Sequence, residues 1–182
     1  AQDGTYDDAS FNVAYNGNGW VPSFLSTAYN TTLHATSIGG GSGDNIEFPF
    51  TGAQVRLNLR GSPTGTATTN TLKLQFKLDI GSGTLTFADY NAARLVVPAL
   101  TCTSTLNGQV PDGSSNFSNF SATGAAYSVI CKGFPLGQAH SIKVTNNLNA
   151  AAFTLDSLQV AKGFLNVALH EETNANFTYN GT

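Results

Sequence analysis

Charge is the first thing this chain lacks. Only 10% of its 182 residues are charged, and 8 Lys and Arg face 11 Asp and Glu. The formal charge of −3 excludes a phosphate-neutralising surface, because nucleic-acid binding needs clustered cations and these are scattered. Disorder is excluded as well: at 41% apolar the chain is too hydrophobic for its low charge to leave it unfolded. Solubility must come from Ser, Thr, Asn and Gly, or from attached sugars. Long apolar runs are missing too. None approaches the roughly 18–20 residues that cross a bilayer, so no membrane span is expected. Methionine is absent, and the chain opens on Ala1. Loss of a signal peptide is the simplest expectation, and trimming of Met alone the other.

Cysteine occurs twice, at Cys102 and Cys131, with no histidine close by, which excludes a zinc site. In an oxidising compartment the expectation is one disulfide. It closes a loop of about 30 residues and contributes about 3–4 kcal/mol by chain entropy. Two buried thiols are the alternative. Helical periodicity is missing throughout. The nearest approach, YNAARLVVPAL at 90–100, is interrupted by Pro98.

What is present is alternation. In TLKLQFKLD, residues 71–79, Leu72, Leu74, Phe76 and Leu78 alternate with Lys73, Gln75, Lys77 and Asp79. A period of two buries one face of a strand and wets the other. NIEFPF, VRLNLR, HSIKVTN, FTLDSLQV and FLNVAL follow the same rule. Turn-forming clusters separate them: NGNG, GGGSGDN, RGSPTGT, DIGSG and VPDGSSN. Pro49 inside a strand implies an edge or a bulge. NGQVPDGSSNFSNFSATG, between the cysteines, reads as a long exposed loop, and GGGSGDN as a glycine-rich hairpin loop. The expected fold is all-β: one antiparallel β-sandwich of the jelly-roll type over 1–182, with its core at about 7–170 and a polar tail at 171–182.

Five Asn-x-Ser/Thr sequons, at Asn30, Asn116, Asn119, Asn176 and Asn180, favour a eukaryotic secretory route with N-linked sugars. The histidines, His34, His140 and His170, form no metal-ligand pattern. His34 and His140 are expected to be half-buried strand residues bonded to neighbours. No Gly-x-Ser-x-Gly elbow occurs, and the glycine run at 39–43 lacks the Lys-Ser/Thr of a phosphate loop. Asp44, Glu47, Asp79, Asp89 and Asp112 are available to a glycosidase, but nothing in the sequence pairs them, and most sit beside turn residues. No catalytic residue is assigned.

DDASFNVAYNGNGW at 7–20, YNTTLHAT at 29–36 and IEFPFTGAQVRL at 46–57 resemble a pattern of secreted and membrane-anchored proteins of basidiomycete fungi. FKLDIG, GFPLGQAHSIKVTN and FTLDSLQV resemble later strands of that family. The resemblance implies a galactose-binding-domain-like jelly roll, the fold used by many carbohydrate-binding modules. It departs from this chain in the length of the insertion between the cysteines and in the continuation past Val160.

In jelly rolls of this type the first and last strands are often neighbours, so Asp7 and Asp8 can meet Asp156. Carboxylates and backbone carbonyls suit calcium, which takes six to eight oxygens. The resemblance implies a structural calcium near there; solvated acids are the alternative. Sugars present apolar C–H faces and hydroxyls, which aromatic rings and polar side chains recognise together. Trp20, Tyr29, His34, Arg60, Tyr90 and Asn91 are therefore the candidate ligand-binding residues, with Trp20 as a core plug the competing expectation. The expected function is a secreted, non-catalytic fungal surface protein that binds cell-wall polysaccharide. A structural or host-interaction protein without a sugar pocket is the second reading, and a polysaccharide hydrolase or lyase the third.

Overall fold

The computed structural model describes residues 4–36, 43–61, 72–80, 86–105, 108–117, 126–147 and 153–162. Thirteen strands lie among them: β1 (Gly4–Asp7), β2 (Ala14–Asn16), β3 (Trp20–Phe24), β4 (Thr32–Thr36), β5 (Asn45–Phe50), β6 (Gln54–Gly61), β7 (Leu72–Lys77), β8 (Ala88–Asp89), β9 (Thr101–Ser104), β10 (Asn116–Phe117), β11 (Ala126–Lys132), β12 (His140–Asn146) and β13 (Phe153–Ala161). They build two antiparallel sheets. One runs β3-β4-β13-β6-β11-β9, with β1 also on β13. The other runs β10-β7-β12-β5-β2, with β8 on β7.

The alternation read from the sequence becomes the sandwich interior. Val55, Leu57 and Leu59 of β6 face Leu72, Leu74 and Phe76 of β7 within one core, all at 1% exposure or less. Phe48, Phe50 and Phe117 fill the same layer. Each fully buried side chain of this size contributes about 1.5–3 kcal/mol. The wet face of the second sheet carries ion pairs instead: Lys73 with Asp89 at 2.9 Å and Lys143 with Glu47 at 2.7 Å. Pro49 sits in β5 beyond the β2 ladder, which stops at Glu47. That is the edge-like position its missing N–H requires.

Cys102 and Cys131 are direct cross-strand partners in β9 and β11 and form the disulfide. Gly133 lets this corner close. Its φ is +94°, and a Cβ there would lie 2.1 Å from the Ala99 carbonyl oxygen, so no other residue fits.

Three expectations are corrected. Residues Tyr90–Val96 form a helix, α1, despite the weak periodicity. Pro98 lies beyond its last turn and ends it instead of preventing it. The stretch between the cysteines is not wholly an exposed loop. Asn116 and Phe117 pair with Lys73 and Leu72, and Phe117 is completely buried. Tyr90 is not a ligand-facing ring. It is 3% exposed, packs near Phe76, and its hydroxyl accepts the Cys102 N–H at 3.2 Å. The GGG of the hairpin loop, the FLNVAL strand, His170, Asn119, Asn176, Asn180 and the 171–182 tail lie outside the described residues.

Candidate functional site

The first and last strands are neighbours. β1 pairs with β13, with Asp7 opposite Ser157, and a bulge between Leu155 and Ser157 frees Asp156 from the ladder. β13 also pairs with β4, with Leu155 opposite His34. One corner of the sandwich therefore collects residues from β1, β3, β4, β6 and β13.

Its inner part is polar and closed. Asp8 is completely buried. Thr32 Oγ1 donates to Asp8 Oδ1 at 2.6 Å, and His34 Nδ1 lies 2.6 Å from Asp8 Oδ2. Tyr15, from the opposite sheet, stacks on His34 with centroids 4.3 Å apart and donates its hydroxyl to the Asp8 carbonyl at 2.7 Å. Burial raises the Asp8 pKa, and the contact with Asp7 adds to the rise. Burial also raises the Tyr15 pKa, followed by the charges of Asp8 and Asp7, so its hydroxyl stays a donor. Trp20 is half-buried against this stack, 5.0 Å from the Tyr15 ring, and its Nε1–H donates to the Asn16 carbonyl at 3.1 Å. It packs against the core from outside the fully buried set.

The outer part is open. Segment 25–31 closes on itself through Leu25 N–H to Thr31 O and Thr31 N–H to Ala28 O. Asn30 takes the left-handed conformation at φ 50°, which asparagine tolerates better than most residues. Asp156 Oδ1 accepts the Tyr29 N–H at 2.7 Å, and Asn30 Nδ2 lies 3.4 Å from Asp7 Oδ2. Arg60 Nη2 donates to the Thr27 carbonyl at 3.1 Å, and Arg60 Nε stands 3.7 Å from Asp156 Oδ2. Tyr29 is 43% exposed. Phe24, opposite Thr32 in the ladder, is 82% exposed, and Phe11, in the turn after Asp8, is 96% exposed.

Of the sequence candidates, the structure thus brings Trp20, Tyr29, His34 and Arg60 together with Asp7, Asp8 and Asp156. It leaves Tyr90 and Asn91 elsewhere. Asn91 is spent locally, its N–H on Ser115 Oγ and its Nδ2 on the Asp112 carbonyl. Thr32, Phe11 and Phe24 carry no local signal, since nothing in the neighbouring residues tells an exposed phenylalanine from a core one or a bonded threonine from a solvated one.

Thr32 Oγ1 has one proton, yet both Asp8 Oδ1, at 2.6 Å, and Asp7 Oδ1, at 3.1 Å, approach it. Asp7 Oδ1 also accepts the Asp8 N–H at 2.9 Å, and Asp7 Oδ2 lies 3.4 Å from Asn30 Nδ2. Asp7, Asp8 and the Thr32 hydroxyl are the groups that would hold a cation, whereas Asp156 is turned to Tyr29 and Arg60. Among the described residues no group of three or more His, Cys, Asp or Glu is spaced to hold a metal ion. Three of the carboxylates open to a glycosidase have partners of their own. Glu47 and Asp89 pair with lysines, and Asp112 Oδ1 accepts the N–H groups of Ser114 and Asn116 in its own turn. No described helix is long and apolar enough to cross a membrane.

No family model matches the chain, and no curated protein matches it. Solved structures resemble it in the course of the chain. A family 35 carbohydrate-binding module from an environmental isolate is 13% identical, with a TM-score of 0.49, covering 87% of this chain and 93% of that one. A family 6 module from Clostridium cellulolyticum, solved with xylose, is 12% identical, with a TM-score of 0.47, covering 89% and 100%. An exo-beta-1,3-galactanase from Phanerochaete chrysosporium is 11% identical, with a TM-score of 0.45, covering 87% of this chain and 29% of that one. Likeness of this degree concerns the path of the backbone alone.

Proposed function

We propose that this chain is a secreted, non-catalytic carbohydrate-binding protein of a basidiomycete surface, with cell-wall polysaccharide as its ligand. The observation that carries the reading is the outer half of the corner. Tyr29 and Phe24 are exposed aromatics of this corner, Tyr29 next to Asn30 in the chain and Phe24 opposite Thr32 in the ladder. The same corner holds the Asp7 carboxylate, the Asn30 amide and the Arg60–Thr27 pair. Rings cover the apolar face of a pyranose, and the flanking polar groups pair its hydroxyls. The disulfide supports an oxidising compartment, and the sequons support a secretory route. A calcium ion at the Asp7 and Asp8 carboxylates, which lie together around the Thr32 hydroxyl, belongs to the proposal as a structural element.

The test is retention of the unglycosylated chain on immobilised fungal polysaccharides, β-glucan first, by native affinity electrophoresis. Tyr29→Ala, still folded by circular dichroism, is expected to lose at least about tenfold in affinity, as truncation of a binding aromatic does. Equal retention of parent and variant, or no retention by either, overturns the reading.

A further inference from the structure

The Asn30 sequon and the proposed sugar site share the same atoms. Asn30 is exposed, its Nδ2 meets Asp7 at 3.4 Å, and Thr32 completes the sequon while bonding Asp8. The preceding residue is Tyr29, whose amide is fastened to Asp156. A sugar bonded to Asn30 Nδ2 must start beside the Asp7 carboxylate and one residue along the chain from the exposed Tyr29. Those are the groups assigned above to the foreign sugar. The other described acceptor, Asn116, lies on the far edge of the second sheet, where Asn147 Nδ2 donates to its Oδ1. A sugar there leaves the corner open.

We infer that Asn30 is N-glycosylated and that its own glycan occupies the corner, so that glycosylation at this position closes the site to outside ligands. The inference rests on the sugar-binding reading of the same corner. In the modification, Asn30 Nδ2 attacks the anomeric carbon of a lipid-linked oligosaccharide diphosphate. A C–N bond forms, the C–O bond to the diphosphate breaks, the lipid diphosphate leaves and the amide gives up one proton. The tethered glycan then competes at an effective concentration of about 1 mM, as short flexible links do. Against a stem dissociation constant of about 0.1 mM, which corresponds to a weak single site, that lowers the apparent affinity for outside sugar about tenfold.

The experiment compares the parent sequence made in a eukaryotic secretory host with the same sequence made in a bacterial periplasm, where the disulfide forms without N-glycans. Three readouts are taken. Peptide mass spectrometry is expected to find hexosamine-containing mass on Asn30 only in the first form. Iodination of Tyr29 is expected in the bare form and suppressed in the glycosylated one. β-Glucan oligosaccharide is expected to bind the bare form about tenfold more tightly. An unmodified Asn30 in the secreted form overturns the inference, as does a modified Asn30 with equal Tyr29 iodination and equal binding. If neither form binds while Tyr29 is still protected, the outside-ligand reading fails, and with it the closing of the site. The glycan's seat at the corner then stands alone.

Discussion

Replacing Asp8 by alanine tests whether the buried carboxylate holds the corner together. The side chain is fully buried, accepts a short hydrogen bond from Thr32 and meets His34 Nδ1 at 2.6 Å. Bonds to a charged group are worth about 1.5–3 kcal/mol each, and each donor left without an acceptor in a closed site costs about 1–3 kcal/mol. Two terms run the other way. Truncation removes the desolvation of the carboxylate and its unfavourable contact with Asp7, the two effects that raise its pKa. The expected net loss is about 3 kcal/mol, in line with removing one partner of a buried pair. For a chain of this length that lowers Tm by about 6–12 °C. Asp8→Asn keeps an acceptor for Thr32 and discards the charge, so it is expected to stay within about 1 kcal/mol of the parent. The assay is urea unfolding in chelator-containing buffer, read as a shift of midpoint at constant slope. A loss of under about 1 kcal/mol for Asp8→Ala refutes the assignment of the corner's cohesion to this residue.

Calcium at about 100 times its dissociation constant is expected to stabilise the chain by about 2.7 kcal/mol, with reversal by chelator. An unchanged melting curve contradicts a calcium site at Asp7 and Asp8. His140 supplies a pH dependence. Burial holds its pKa below the ordinary histidine value, against the opposing pull of the Pro135 carbonyl, to which Nε2 bonds at 2.9 Å. The unfolded chain takes up a proton near pH 6.5 that the folded one refuses until its lower pKa. Stability is therefore expected to fall as pH drops below about 6.5, and to fall less in His140→Gln. Equal slopes in the two proteins contradict this. Reduction of the Cys102–Cys131 bond, which spans 29 residues, is expected to cost about 3–4 kcal/mol in urea unfolding, and a loss near zero contradicts the chain-entropy account.

The strands were legible because alternation is a local signal: β5, β6, β7, β12 and β13 follow the period of two in their own sequences. The meeting of Asp7, Asp8 and Asp156 is legible only through the resemblance, since no local pattern brings residues 148 positions apart into one corner. Tyr90 misled because an aromatic beside turn residues reads as exposed, and only the packing of α1 on β7 buries it. Thr32 escaped notice because its hydroxyl has a role only where Asp8 is turned inward behind β4. Phe117 escaped because Ser and Asn neighbours mask one core residue in a polar stretch. In each case the deciding contact is long-range.

The central claim is that sugar binds at the corner between β1, β4 and the β13 bulge. The direct measurement is a two-dimensional NMR titration of the unglycosylated chain with a β-glucan oligosaccharide. Saturable shifts are predicted at Asp7, Phe24, Tyr29, Asn30 and Asp156, with Tyr90 and Asn91 unmoved. A saturable response centred on α1 or on the outer face of the second sheet, or no response at millimolar sugar, contradicts it.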